Sequence, residues 1–215
     1  MGLAAAAQRT KSTWTSEQLL KQLDQEAKGF RGLRANLERT KVTVVVNDKS
    51  TESGRVLIRR DDKMLIELTQ PDPRTVLRTG DDLYIYNPKL KRVEQYDIGK
   101  HRAEAEQFLM LGFGTSGNDL KKNYLGLVWG EEILDKRNTL ILELTPKNDK
   151  VRNQISKIHL WIDTATWLPI QQKFFEVGGD YFVLHFTDIV RNPRLSDSQF
   201  KPNWPKGTTK IKPQD

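Results

Sequence analysis

The stretch Gly54–Pro88, GRVLIRRDDKMLIELTQPDPRTVLRTGDDLYIYNP, decides the fold of this chain. Val56 and Ile58 alternate with Leu57 and Arg59. Met64, Ile66 and Leu68 alternate with Leu65, Glu67 and Thr69, and Leu83 and Ile85 with Tyr84 and Tyr86. A side-chain period of two belongs to strands, because successive Cβ atoms leave opposite faces of the pleat. Asp61-Asp62, Gln70-Pro71-Asp72-Pro73, Gly80-Asp81 and Asn87-Pro88 supply the residues that turns favour. The stretch therefore reads as four short strands in one antiparallel ribbon, uninterrupted by any catalytic constellation.

Upstream of the ribbon, Thr15–Phe30 predicts a helix. Thr15 and Gln18 form a capping box, Trp14 is placed to staple onto Leu19, and Leu19, Leu20, Leu23 and Ala27, with Phe30 beyond, make one apolar stripe. Gly29 and Gly32 end it, and from Ala35 the period changes to two, with Asn47-Asp48-Lys49-Ser50 turning the chain into the ribbon. His101–Tyr124 breaks the alternation: Ala103–Leu111 and Asn118–Tyr124 read as short helices joined by Gly112-Phe113-Gly114-Thr115-Ser116-Gly117. Strand patterns resume at Leu125–Leu134, Thr139–Thr145, Gln154–Ile162, Leu168–Val177 and Tyr181–Val190, with separators of hairpin length. A helix followed by a long meander is an α+β pattern, mainly antiparallel β, and so many strands are expected to curl toward a barrel to limit exposed edges. The expected organisation is a remnant of an export signal over 1–12, one domain over 13–205 and a flexible tail over 206–215.

Composition narrows the function. The 215 residues contain no cysteine, which excludes disulfides, thiolate metal ligands, a thiol nucleophile and a lipid-modified N-terminal cysteine. With 37% hydrophobic and 29% charged residues, much of the chain faces water. The net charge of +7 is diluted among acids, as in Lys147-Asn148-Asp149-Lys150-Val151-Arg152, so a nucleic-acid partner is not expected, whereas a solvated basic surface that lingers near anionic headgroups or acidic partners is. No run of about 20 apolar residues is present to cross a bilayer. Met1-Gly2-Leu3 and the alanines after it look like the end of an export signal followed by a mature start, with a cytosolic terminus as the alternative.

Motifs for chemistry are weak. Gly112–Gly117 satisfies G-x-G-x-x-G but follows a helix pattern and lacks a βαβ unit, so it reads as a hinge and not a dinucleotide site. His101, His159 and His185 are isolated, Ser116 has no glycine elbow, and Asp61-Asp62, Asp81-Asp82 and Glu131-Glu132 point apart if extended. No enzyme, cofactor or metal is expected. The run Phe108-Leu109-Met110-Leu111-Gly112-Phe113 carries more apolar surface than a simple amphipathic helix needs, and either core packing or a ligand-facing role accounts for it. Arg60, before Asp61-Asp62-Lys63, reads on its own as a solvated turn residue.

Gly54, Arg59-Arg60, Asp61-Asp62, Thr69-Gln70-Pro71-Asp72, Gly80-Asp81 and Tyr86-Asn87-Pro88 together resemble the LolA-type periplasmic lipoprotein carriers. Asp197–Gly207 resembles their close, while Trp161-Ile162-Asp163 and Trp167-Leu168-Pro169-Ile170 resemble a hairpin of the wider LolA-like superfamily. The resemblance implies a half-open, curved β-barrel whose apolar cavity is covered by a helical lid. It implies a soluble, monomeric, periplasmic protein that carries lipoprotein acyl chains, or another lipid, from an inner-membrane releasing transporter to an outer-membrane acceptor. A sensory module on the same fold is the alternative. By the same resemblance Phe108, Leu109, Met110, Leu111 and Phe113 line the cavity and lid. Arg60 is then the latch that bonds lid carbonyls. The family commonly has Pro after this arginine; Asp61 stands there here and offers a local ion pair that would draw Arg60 outward.

Overall fold

The computed structural model describes residues 9–99 and 111–213. Among them, twelve strands hydrogen-bond in the order β12-β6-β5-β4-β3-β2-β1-β11-β10-β9-β8-β7, with β12 and β7 at the ends, so the sheet does not close. The expected α+β class, mainly antiparallel, is what is observed. The chain divides into two compact units.

One unit comprises Met1–Gly29, Lys41–Lys49 and Thr115–His185. Helix α1, Ser16–Gly29, begins at the expected capping box: the Gln18 amide donates to Thr15 Oγ1 at 3.2 Å and the Thr15 amide to Gln18 Oε1 at 2.9 Å. Leu19, Leu20, Leu23 and Ala27 are its buried stripe, and the ring of Trp14 meets Trp167 edge-on at 5.2 Å. Helix α2, Gly117–Asn123, is capped by Ser116, whose Oγ accepts from the Asp119 amide, and the Asn118 amide ties it to Asp24 of α1 at 3.0 Å. A meander follows: β7 Tyr124–Leu134, β8 Arg137–Pro146, β9 Ile155–Asp163, β10 Pro169–Glu176 and the start of β11 Tyr181–Arg191. Leu142, Leu160 and Gln172 stand opposite one another, as do Leu144, Ile158 and Phe174, and these residues are buried. The separator Pro146–Arg152 holds a one-turn helix, α3 Asp149–Arg152, capped by Asn148.

The outer edge of β7 is occupied. Thr10 and Glu131 exchange backbone hydrogen bonds at 2.9 Å, and Ser16 Oγ accepts from the Val128 amide at 3.0 Å. The Arg9 guanidinium lies 3.6 Å above the Trp129 ring at a register shift between Val128 and Gly130. The segment before α1 thus satisfies backbone groups that an end strand otherwise leaves to solvent.

The second unit comprises Phe30–Thr40, Ser50–Gly114 and Phe186–Asp215. It contains most of β1 Gly32–Thr43 and β2 Asp48–Arg59, then β3 Lys63–Gln70, β4 Arg74–Thr79, β5 Asp82–Asn87 and β6 Arg92–Asp97. Val56, Ile66, Val76 and Ile85 are directly opposed and share one face with the row Ile58, Met64, Arg78 and Leu83. Leu57, Leu65, Leu77 and Tyr84 form the row on the other face. Leu57, Leu65 and Leu77 are buried as well as Val56, Ile58 and Met64 on the opposite face, because the C-terminal segment crosses the Leu57 side. Phe200, in the 3-10 turn Asp197–Phe200, packs on Leu57, Leu65 and Leu77, with Leu195, Tyr84 and Trp204 around it. Strand β12, Thr209–Ile211, then pairs parallel with β6.

At Gly54 the β2–β3 register shifts, and a Cβ there would lie 1.9 Å from the Glu67 carbonyl oxygen, so the two strands approach as closely as they do only because the side chain is hydrogen.

Candidate functional site

The site begins with parity. Alternation along Val56-Leu57-Ile58-Arg59-Arg60 sends Arg59 to the Leu57 face and Arg60 to the Ile58 side. On its face Arg59 holds Asp61 in a fork, Nε to Oδ1 at 2.6 Å and Nη2 to Oδ2 at 2.7 Å. It also donates to the Leu195 carbonyl at 3.0 Å and to Asp197, and stands 5.4 Å over the Phe200 ring. Lys63 Nζ completes the cluster at 3.0 Å from Asp61 and 2.9 Å from Asp197. These charges fasten the C-terminal crossing to the β2–β3 turn.

Their electrostatics follow the contacts. Hydrogen bonds from Arg59, then from Lys63, hold the Asp197 carboxyl down to about 2, and Arg59 likewise keeps Asp61 well below the usual carboxylate range. A carboxylate whose folded value is depressed stabilises the fold above its unfolded value of about 3.9, and that contribution disappears as pH falls through the folded value. Acidification from about pH 5 to pH 2 is therefore expected to loosen the Leu195–Trp204 crossing first. Hydrogen exchange of that segment checks it: Asp197→Asn should show fast exchange already at neutral pH and a flattened pH response. Equal acid loosening in the variant would assign the transition to other groups.

The ion pair at Asp61 is real, but it belongs to Arg59 and Lys63. Arg60 is exposed; its amide donates to the Arg31 carbonyl at 3.0 Å and its Nη1 reaches the Phe30 carbonyl at 3.4 Å. Phe30 is buried, and its ring supports the described end of the apolar insertion. Gly114, at φ +71°, lies so close that a Cβ would fall 2.2 Å from Phe30 Cδ1. Leu111 and Phe113 are buried, and Phe113 meets Phe186 edge-on at 5.0 Å. The structure thus brings Arg60, Phe30, Gly114, Phe113 and Phe186 into the same unit as Val56, Ile58 and Met64. Phe108, Leu109 and Met110, and all of the expected helix Ala103–Leu111 except Leu111, lie outside the described residues.

Arg78 is the residue that sequence reasoning missed. It is 1% exposed, in the row of Ile58, Met64 and Leu83. Its Nε donates to the Gly80 carbonyl at 3.1 Å and its Nη2 to Asp62 at 3.4 Å. A guanidinium taken out of water carries a desolvation cost that such bonds serve to offset. The available signal was the adjacent pair Leu77-Arg78, since alternation obliges one of the two to share the face of Ile58 and Met64.

Neither described histidine, His159 or His185, stands in a metal-like arrangement. His159, buried against Trp129, Trp161 and Phe175, contacts Glu143 at 2.7 Å, with burial pulling its pKa down against that carboxylate. His185 lies 3.0 Å from Asp135, and His101 falls outside the described residues. Among the described residues no group of three His, Cys, Asp or Glu side chains converges, and no helix is long and apolar enough to cross a membrane.

Comparison with known proteins bears on what this face is for. A family described as "Outer membrane lipoprotein carrier protein LolA" matches residues 28–203. The outer-membrane lipoprotein carrier protein of Dechloromonas aromatica is 25% identical over 186 residues, covering 86% of this chain and 84% of that protein. Among solved structures, a conserved protein of Thermus thermophilus superposes with a TM-score of 0.60 at 12% identity, covering 92% of this chain and 99% of that one. MucB superposes with a TM-score of 0.53 at 14% identity, over 87% of this chain and 62% of its own; at such identities the likeness concerns the fold. With the family match spanning the ribbon, both arginines and the Phe200 crossing, the chain belongs to the LolA family of outer membrane lipoprotein carrier proteins.

Proposed function

We propose that this protein is a periplasmic carrier that shields lipoprotein acyl chains, or those of a related lipid, on the apolar side of its ribbon and ferries them from an inner-membrane releasing transporter to an outer-membrane acceptor. The observation that carries the reading is the family match across 28–203. The face of Val56, Ile58 and Met64, with Leu111 and Phe113 buried in the same unit, supports it. Each CH2 removed from water contributes about 0.8 kcal/mol, so part of a diacyl group suffices for transit without covalent chemistry, cofactor or nucleotide. Phe108, Leu109, Met110, Leu111 and Phe113 are the proposed lid and cavity residues. An apolar fluorescent probe should bind stoichiometrically and be displaced by a diacyl lipopeptide, and Phe113→Asp should abolish binding while circular dichroism stays unchanged. Unaltered probe binding by a folded Phe113→Asp protein refutes this placement.

Arg60 is the proposed latch. Its exposed, 3.4 Å bond to the Phe30 carbonyl is one of its contacts and, at the level of an ordinary net hydrogen bond, contributes about 1 kcal/mol, or roughly fivefold in a closed-to-open equilibrium. Arg60→Leu is expected to capture lipoprotein from inner-membrane vesicles as well as the parent protein or better, and to hand it to the acceptor about fivefold less well, because reclosure no longer helps expel cargo. Parental transfer by Arg60→Leu would reduce Arg60 to a solvated turn residue.

A further inference from the structure

The first unit presents an apolar point that its own folding does not use. The turn between β1 and β2 is Val44-Val45-Val46-Asn47, closed by the Asn47 amide on the Val44 carbonyl at 3.1 Å, with Asn47 in the left-handed region. Its valines are 52%, 87% and 69% exposed. Turns of this kind favour Gly, Asn, Asp and Pro, whereas β-branched apolar residues favour half-buried strands, so three consecutive valines here run against both local preference and solvation. A second tip lies beside it. The Val44 amide donates to Asp180 Oδ1 at 2.9 Å and Lys41 pairs with Glu176, which fixes the β1–β2 turn against Val177-Gly178-Gly179-Asp180, where Val177 is 61% exposed.

The charge around these tips selects the partner. Of the nearby acids, Glu176 is neutralised by Lys41, Asp149 is paired with Arg152, and Asp180 is engaged by the Val44 amide; Asp48 stands next to Lys49. The Val177 amide bonds the Gln154 carbonyl at 3.2 Å, which brings the C-terminal end of α3 to the second tip. Lys150 is exposed on α3, and Lys49 is exposed two residues beyond the first tip, on a chain of net charge +7. Solvated valines with exposed lysines in the adjoining segments match the boundary of an anionic bilayer, where apolar side chains enter the acyl region and ammonium groups remain among headgroup phosphates. An acidic protein surface would satisfy the lysines but give Val45 no apolar medium.

We propose that the paired tips, Val44–Val46 and Val177, are a membrane-docking point that rests on bilayers carrying anionic headgroups, independently of whether cargo is bound. Such docking would be reversible: four valines insert little area, so binding depends on apolar contact and charge together and weakens as salt screens the lysines.

Flotation of the whole protein with phosphatidylcholine vesicles, with and without phosphatidylglycerol, tests this. The protein is expected to float with the anionic vesicles only, and the Val45→Glu/Val46→Glu variant to partition about tenfold more weakly or less. Ile133→Glu, at a site 63% exposed on β7, should float as the parent does. In a Val45→Trp protein the emission of the new tryptophan should shift blue on anionic vesicles and be quenched by brominated lipid. Absence of flotation, or flotation that survives both glutamates, overturns the proposal. So does a concentration-dependent dimer abolished by the glutamates without vesicle binding, which would assign the tips to a second copy. Probe and lipopeptide binding in solution, expected unchanged in the double glutamate variant, reports separately on the carrier reading.

Discussion

Phe200→Ala is expected to destabilise the protein by about 3 to 5 kcal/mol, the range for truncating a fully buried aromatic ring. The ring is 1% exposed and touches Leu57, Leu65 and Leu77, one residue from each of three neighbouring strands. Its removal leaves a cavity that the ribbon cannot collapse to fill, because strand spacing is fixed by backbone hydrogen bonds. It also loosens the partners that depend on it, Arg59 above the ring and Trp204, which stacks on Tyr86 at 5.0 Å. For a chain of this size the loss corresponds to a fall in Tm of roughly 6 to 20 °C. Urea unfolding should show a lower midpoint at an unchanged slope, and a loss below about 1 kcal/mol would mean that the C-terminal crossing contributes little to the fold.

Gly54→Ala should be the second severe change, costing about 2 to 4 kcal/mol although it adds a single methyl group. The methyl would lie 1.9 Å from the Glu67 carbonyl oxygen and 2.8 Å from the Glu67 carbonyl carbon and the Leu68 Cα, all backbone atoms with no rotamer to move. The strands must separate there, and the β3 register that sets Leu65 and Met64 on opposite faces is strained. Gly80→Ala is the comparison. Gly80, unlike Gly54, has a positive φ, of 63°, and no atom lies within 4 Å of its Cβ direction, so only backbone strain of about 1 kcal/mol is expected. Equal losses in the two variants would show that close approach at Gly54 is not the controlling effect.

The ribbon was legible because its turns are written in residues that turns demand and its strands keep a strict period of two. The same alternation correctly separates Arg59 from Arg60, since parity alone sends neighbours to opposite faces. What alternation leaves silent is what covers each face. Leu57, Leu65 and Leu77 are apolar at positions that a one-sided sheet would leave polar, and the reason, Phe200, lies more than a hundred residues away in sequence. Arg78 escaped for a related reason: a basic residue in a strand ordinarily marks the wet side, and only a ribbon buried on both sides reverses that inference. Strand β12 escaped because three residues in a parallel pairing show no periodicity within a segment rich in Pro and Lys. Helix α3 is one turn set by the Asn148 cap, too short to leave a 3.6-residue signature. The burial of Phe113 was legible from its apolar run, whereas the carbonyl that Arg60 reaches belongs to Phe30, at the exit of α1, a pairing that local sequence cannot encode.

The Arg9–Ser16 segment along β7 has a consequence for how the protein behaves when damaged. It holds the strand through a bridge at Glu131, a hydroxyl at Val128 and one stacked guanidinium, none of them part of the hydrophobic core. A protease that clipped after Thr10 would leave both units folded yet uncover a ready template for strand addition, bordered by Leu125 and Leu127, which are 64% and 55% exposed. Loss of a few residues would then be felt as polymerisation of intact domains rather than as unfolding.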